Sequence, residues 1–148
     1  SVDSSKKAMD LVKENVHLNG FEEGVQHHSY CEDAIEFMRN AAGNKYDLIV
    51  VDPPAFAKHR GALDNALRAY KRLNALAIEK VKPGGLVFCY SCSQVVDKQA
   101  FALAIFSAAA QTGRKVRILH RLTQPADHPV SIYHPEGEYL KGLVLLVE

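Results

Sequence analysis

The sequence has little of what marks membrane proteins or disulfide-stabilised secreted proteins. No apolar run reaches the ~20 residues that a membrane helix needs, and residues 1–4 have neither a basic start nor an apolar signal core. The three cysteines are odd in number and lack the paired spacing of a zinc site. We therefore expect a soluble, cytoplasmic protein in a reducing compartment, with no membrane contact and no bound metal.

A strong excess of one charge sign is also missing. Lysine plus arginine number 18 against 17 acidic residues, so the net charge of +1 neither requires nor excludes a nucleic-acid partner. We find no internal repeat, linker or low-complexity segment. The 148 residues, 47% of them hydrophobic, suffice for one core, and we expect a single domain over residues 1–148.

Helix and strand patterns alternate along the chain. Helices are predicted after Ser4 or Ser5 up to Asn19-Gly20 and at 33–42, 63–81 and 100–110, with strands at 25–29, 46–51, 86–90, 115–122 and 141–147. The uninterrupted β-branched run at 46–51 is typical of a central parallel strand covered on both faces. No helix signal separates the last two strands, so these should pair antiparallel. The pattern predicts an open, mostly parallel α/β sheet with helices on both faces.

Open α/β sheets bind ligands beyond the carboxyl ends of their strands. Asp33, Asp52 and Cys92 follow the predicted strands at 25–29, 46–51 and 86–90, and Asp3 would follow an earlier strand of which only the end is present. We therefore expect three carboxylates and a thiol to meet at one edge. Asp3 could accept both hydroxyls of a ribose, or with Ser4 cap the next helix. Asp33 could accept a hydrogen bond from an adenine amine, or stabilise a helix N-terminus.

The segment Asp52-Pro53-Pro54 is a more specific signal. Two consecutive prolines remove two amide donors and fix φ, which leaves a stiff strand exit with free carbonyls. Such a segment can hold a flat base. Phe56 could then stack on that base, or it could fill the core beneath the loop.

Only Cys92 among the cysteines has the setting of a nucleophile, because it follows a strand and can reach solvent. Cys89 lies inside the same strand, and we expect Cys89 and Cys31 to be inert, like small buried hydrophobes. Two basic runs could contact phosphates or form ordinary solvated surfaces. They comprise Lys58, His59, Arg60, Arg68, Lys71 and Arg72, and then Arg114, Lys115, Arg117, His120 and Arg121.

Five segments taken together carry a family resemblance. They are residues 52–57 (DPPAFA), 70–74 (YKRLN), 91–93 (SCS), 126–129 (ADHP) and 135–142 (PEGEYLKG). In order and spacing the chain resembles the bacterial large-subunit rRNA cytosine-5 methyltransferase family over its whole length. The resemblance implies a Rossmann-like class I methyltransferase sheet, S-adenosyl-L-methionine as methyl donor, and transfer to carbon 5 of a cytosine in rRNA.

The resemblance also implies roles for individual residues. Cys92 would be the nucleophile and Asp52 the catalytic residue beside it, where we expect it to remove the carbon 5 proton. The cofactor would contact Asp3, Ser4, Asp33, Asp52 and Pro53, and the RNA would contact Pro54, Phe56, Lys58 and Arg60. Many RNA cytosine-5 methyltransferases have a second cysteine at the position of Pro54, so the resemblance itself does not identify the group that removes the carbon 5 proton.

Class I methyltransferases normally begin with a strand and a glycine-rich turn, and none of the nine glycines supplies that turn. The family's N-terminal RNA-binding domain has no counterpart either. We therefore expect a fragment that is inactive alone, binds the cofactor poorly, and self-associates through exposed sheet edges. The alternatives are a methyltransferase acting on an exocyclic nitrogen of a nucleic-acid base, and a non-catalytic RNA-binding module.

Overall fold

A computed structural model of the chain describes residues 1–57 and 59–148. They divide into two compact units, Ser1–Ala41 and Ala42–Glu148. The helices and strands are α1 (Lys6–Leu18), α2 (Ala34–Asn40), β1 (Tyr46–Val51), α3 (Leu63–Lys80), β2 (Val81–Ser91), α4 (Lys98–Thr112), β3 (Val116–Leu122) and β4 (Lys141–Val147), with 3-10 turns at Arg60–Ala62 and Pro135–Gly137. No helix in these two described ranges combines the length and apolarity needed to cross a bilayer.

The first unit contains the two predicted N-terminal helices. Ser5 caps α1, because its hydroxyl accepts a hydrogen bond from the Ala8 amide at 3.3 Å. Helix α1 buries Met9 and ends at Leu18, with Asn19 as its C-cap and Gly20 beyond it at a φ of +77°. The predicted start and stop of this helix are therefore confirmed.

The strand predicted at residues 25–29 is wrong. Residues 24–26 form a turn in which Gly24 has a φ of +87°, and the Gln26 amide donates to the Glu22 carbonyl at 3.0 Å. The Glu23 carboxylate accepts the Ser29 amide at 2.6 Å. A local carbonyl and a local carboxylate thus accept the backbone donors that a ladder would otherwise use.

The second unit is built on a four-stranded sheet in the order β1-β2-β4-β3. Strands β1 and β2 are parallel, while β4 runs antiparallel to both of its neighbours, β2 and β3. Three strands therefore point one way and only the last strand is reversed. This arrangement confirms the predicted, mostly parallel sheet and the antiparallel pairing of the final two strands.

Helices α3 and α4 pack against each other, and α3 also contacts β1 and β2. The large side chains buried between these elements are Tyr70, Ile78, Phe101, Val87 and Leu145. A large apolar side chain contributes about 1.5–3 kcal/mol when it is fully buried. Truncating one of these residues should therefore cost more stability than removing a surface contact.

Strand β1 differs from the prediction in its surroundings. Among the described strands it pairs only with β2, and Leu48 and Val50 are 48% and 58% exposed. The predicted coverage of both faces is therefore wrong for this strand. A β-branched run reports strand propensity, and it does not fix how many neighbours the strand acquires.

Candidate active site

Asp52 and Cys92 lie at the same edge of the sheet because β1 and β2 are parallel neighbours. Val51 is in register with Cys89, Asp52 follows Val51, and Cys92 follows the end of β2. Both groups also act electrostatically on the buried hydroxyl of Tyr70. Burial raises the pKa of Tyr70, and the charges of Cys92 and Asp52 add to that rise. The two predicted catalytic residues are thus brought together.

Cys92 is partly exposed and lines a cavity of about 280 Å³. The other lining residues are Ala55, Ala57, Gln94, Val95 and Tyr139. Small-molecule pockets begin at roughly 300 Å³, so this space lies at the lower end of that range. The thiol is therefore presented to a ligand-sized space and is not enclosed in the core.

The residues on either side of Cys92 are fully buried serines whose hydroxyls are hydrogen-bonded. Ser91 donates to the Tyr70 hydroxyl at 2.9 Å, and Ser93 donates to the Ala57 carbonyl at 2.6 Å. The Ser93 amide also donates to the Ser91 hydroxyl at 3.4 Å. Because buried polar groups are costly unless paired, these contacts fix the backbone that carries the thiol.

A buried lysine also binds the backbone next to Cys92. Lys141 at the start of β4 is 6% exposed, and its ammonium donates to the Ser93 carbonyl at 2.6 Å. Sequence reasoning quoted Lys141 within a motif but gave it no role. A single lysine opening an otherwise apolar strand was the signal that could have identified it.

The three cysteines occupy different environments. Cys89 is fully buried, and that burial raises the pKa of its thiol far above the ordinary value, so this residue stays neutral. Cys31 is exposed, which corrects the expectation that it is buried, and its sulfur lies 3.7 Å from the Ser4 carbonyl oxygen. Only Cys92 combines partial exposure with a cavity and a rigid backbone.

The segment after β1 runs from exposed residues to the buried Ala57. Asp52 and Pro54 are exposed, and Asp52 has no hydrogen bond or ion pair with any residue that the structure describes. Phe56 is half-buried, with its ring edge-on to Tyr70 at a centroid distance of 4.8 Å. Phe56 therefore partly fills the core beneath the loop, as one of the two alternatives predicted. Its stacking on a base stays a prediction. Lys58 lies outside the described residues.

Arg60, in the first basic run, is exposed and open to a ligand. In the second basic run, two arginines form contacts within the protein. The Arg114 guanidinium donates to the carbonyls of Ile78 at 2.7 Å and Val81 at 2.6 Å, which caps the end of α3. Arg117 pairs with Glu148 at 3.1 Å. Arg114 therefore stabilises the fold, and phosphate contact by this run stays a prediction.

In the first unit, Asp3 and Asp33 follow two segments joined by a parallel bridge between Val2 and Tyr30. The Asp3 amide donates to the Tyr30 carbonyl at 3.2 Å. One Asp3 carboxylate oxygen accepts the Ser5 amide at 2.7 Å. The carboxylate is exposed, and its second oxygen has no partner among the described residues.

Asp33 caps α2 with one carboxylate oxygen, which accepts the amides of Ile35 at 2.9 Å and Glu36 at 3.0 Å. The capping alternative is thus observed for Asp33, and Asp3 makes a similar local contact. Each carboxylate keeps one free oxygen and is exposed. Both could still accept ligand hydroxyl or amine groups, so their cofactor roles and that of Ser4 stay predictions.

A family model described as "Conserved hypothetical protein 95" matches residues 1–118. The chain belongs to this family. Its similar relatives include "Ribosomal RNA large subunit methyltransferase I" of Aeromonas hydrophila, 39% identical over 151 residues, which cover 98% of this chain and 37% of the relative. The protein of the same name from Vibrio cholerae serotype O1 is 39% identical over 150 residues, which cover 99% of this chain and 38% of the relative.

The fold of this family member is that of Rossmann-like methyltransferases. The crystal structure of SMU.776, solved with SAH, has a TM-score of 0.81 at 21% identity, covering 99% of this chain and 38% of that protein. The chain therefore spans less than two fifths of the length of its curated relatives. In the described part of the chain, no group of three or more His, Cys, Asp or Glu side chains could hold a metal ion.

Proposed function

We propose that this chain carries out the catalytic step of methyl transfer from S-adenosyl-L-methionine to carbon 5 of a cytosine in large-subunit rRNA. The observation that carries the proposal is the partly exposed thiol of Cys92, held in a cavity at the carboxyl edge of the sheet. Relatives named as large-subunit rRNA methyltransferases support the substrate class. Because the chain spans 37% of the Aeromonas relative, the proposal concerns the whole protein of which such a segment forms part.

The first unit supports the choice of cofactor. Asp3 and Asp33 are exposed carboxylates that each keep one free oxygen, as a ribose and an amine would require. SMU.776, which shares the fold, was solved with SAH. When bound, S-adenosyl-L-methionine supplies an electrophilic methyl group. We assign Asp3 and Ser4 to the ribose and Asp33 to the adenine.

The second unit supplies the groups that act on the base. Carbon 5 of cytosine becomes nucleophilic when the Cys92 thiolate adds to carbon 6 and forms a covalent adduct. After carbon 5 has been methylated, Asp52 accepts its proton and the bond between sulfur and carbon 6 breaks. This restores the aromatic ring and the thiolate. The exposed Asp52 carboxylate has no partner among the described residues, so it is free to accept that proton.

The remaining predicted contacts belong to the same proposal. Pro53 would lie against the methionine end of the cofactor, with Pro54 and Phe56 against the target base. Arg60 and Lys58 would contact the RNA backbone. Pro54 and Arg60 are exposed, as such roles require, and Phe56 is half-buried.

The test uses RNA that contains 5-fluorocytosine, because fluorine blocks the final elimination and traps the adduct. Two proteins are compared: this chain alone, and a chimera in which it replaces the matching segment of the Aeromonas relative. We expect mass spectrometry to detect a methylated protein–RNA adduct in the chimera that is lost in Cys92→Ser and kept in Cys89→Ser. An unchanged yield in Cys92→Ser would exclude Cys92 as nucleophile.

The second candidate is methyl transfer to an exocyclic nitrogen of a base. It is favoured by the unpartnered Asp52 carboxylate next to two prolines, since this carboxylate could accept a hydrogen bond from an amino group. That reaction needs no covalent adduct, so Cys92→Ala would keep its activity. RNA binding with no methyl transfer of either kind by the chimera would instead favour a non-catalytic module.

A further inference from the structure

A second cavity lies beside the one that contains Cys92. It has a volume of about 420 Å³, and Gln94 lines both cavities, so the two spaces adjoin. This volume falls within the range of small-molecule sites, and the proposed methyl transfer leaves the second cavity unused. Its polar lining residues are Gln94, Asp97, Lys98, Gln99, Glu138 and Lys141.

Lys141 gives the second cavity a buried hydrogen-bond donor. The residue is 6% exposed, and its ammonium donates to the Ser93 carbonyl at 2.6 Å. An ammonium has three N–H donors, and the other two have no acceptor among the described residues. Because an unsatisfied buried donor is costly, a ligand that offers an acceptor at this position gains a strong interaction.

Asp97 supplies an acceptor to the same cavity. One of its carboxylate oxygens caps α4 by accepting the Ala100 amide at 2.7 Å, and the other oxygen has no partner among the described residues. Asp97 and Lys141 attract each other electrostatically, yet they form no ion pair. The cavity therefore holds a donor and an acceptor that are separate, so that one ligand can bind both.

The charges and amides of the lining favour a neutral ligand. Lys98 is paired with Glu138, and Lys141 and Asp97 add one charge of each sign, so the lining has no net charge. A phosphate would meet two carboxylates, and a cation would meet two ammonium groups. Gln94 and Gln99 are exposed amides that can each donate and accept. Donors and acceptors side by side are what the edge of a nucleobase requires.

We propose that the second cavity binds the base of the nucleotide next to the target cytosine in single-stranded RNA. The inference rests on the proposed function, because it takes the Cys92 cavity as the place of the target base. Unpaired RNA bases are splayed apart and recognised by hydrogen bonds to their edges. Lys141 donates to an acceptor of the neighbouring base, and Asp97 accepts one of its N–H groups. The cavity thus selects the sequence around the methylated cytosine.

The test is an NMR titration of the isotope-labelled chain with single-stranded RNA pentanucleotides centred on cytosine, without cofactor. The side-chain amides of Gln94 and Gln99 report on the second cavity, and the backbone amide of Tyr139 reports on the Cys92 cavity. An abasic nucleotide is placed on either side of the cytosine in turn. We expect one of these two positions to weaken binding about tenfold and to abolish the glutamine shifts, while the Tyr139 shift remains.

Two variants test the cavity directly. Gln99→Ala removes one amide, and Asp97→Asn removes the charge while asparagine still caps α4. Both should bind intact RNA more weakly than wild type and should bind the abasic RNA as wild type does. The matched control is Gln111→Ala, which removes an exposed glutamine from the last turn of α4 and should change neither affinity.

Three results would overturn the proposal. They are an absence of shifts at Gln94 and Gln99 with every pentanucleotide, equal effects of the two abasic positions, and variants that weaken abasic RNA as much as intact RNA. The readout is also independent of the reaction. If the abasic effect is found but no fluorocytosine adduct forms, the cavity binds the neighbouring base although the proposed methyl transfer fails. If the adduct forms without the abasic effect, the methyl transfer stands and the role of this cavity falls.

Discussion

The two ends of strand β2 are stabilised in different ways. At its amino end, the Lys82 ammonium pairs with Asp47 at 2.7 Å on the surface, where water can replace either partner. At its carboxyl end, Ser91, Ser93 and Lys141 are all buried and hydrogen-bonded. Buried polar groups must each find a partner. Three of them surround the partly exposed Cys92, so hydrogen bonds inside the protein hold the backbone that carries this thiol.

The largest expected effect concerns the neighbouring strand exit. The Asp52 side chain forms no hydrogen bond or ion pair with the described residues, so Asp52→Asn should leave the unfolding free energy in urea nearly unchanged. If Asp52 removes the carbon 5 proton, methyl transfer by the chimera should fall about 100-fold or more, and the covalent RNA adduct should accumulate. A fully active Asp52→Asn chimera would remove Asp52 from that role.

Tyr70→Phe probes the rigid end of β2. The substitution leaves the buried Ser91 hydroxyl without its acceptor, and an unsatisfied buried group costs about 1–3 kcal/mol. We expect urea unfolding to report a loss in that range. The matched control is Tyr133→Phe, because Tyr133 is 86% exposed and should change nothing. Equal effects in both variants would contradict the described network.

The buried Cys89 in the middle of β2 makes the free energy of unfolding depend on pH. Its folded pKa lies far above the ordinary value of 9.0, so the folded state keeps a proton that the unfolded state loses. Stability is therefore complete below pH 9 and falls by about 1.4 kcal/mol per pH unit above it. Urea titrations at increasing pH should find this slope reduced in Cys89→Ala and retained in Cys92→Ala.

The smallest effect is expected at the amino end. The Lys82 ammonium lowers the pKa of Asp47, but the carboxylate is fully exposed and the pair is screened by water and salt. Asp47→Asn should have no measurable effect on urea unfolding at neutral pH. A loss as large as that in Tyr70→Phe would mean that the two ends of β2 do not differ as described.

Local patterns predicted much of this fold. Helix α3 lies where apolar periodicity indicated it, and strand β4 covers the residues 141–147 predicted for it. The position of Cys92 after β2 was also predicted. The strand at 25–29 failed because Glu23 competes for backbone donors. The role of Lys141 was not predictable, since burial of a lysine depends on contacts between strands that are distant in sequence.

Strand β4 lies between β2 and β3 although it follows both in sequence. During synthesis, β3 therefore emerges from the ribosome before the only described strand that pairs with it. Until residues 141–147 follow, the nascent chain exposes unpaired edges on both β2 and β3 and is vulnerable to aggregation. The same late strand delivers Lys141, so the surroundings of Cys92 cannot be complete before residues 141–147 have been synthesised.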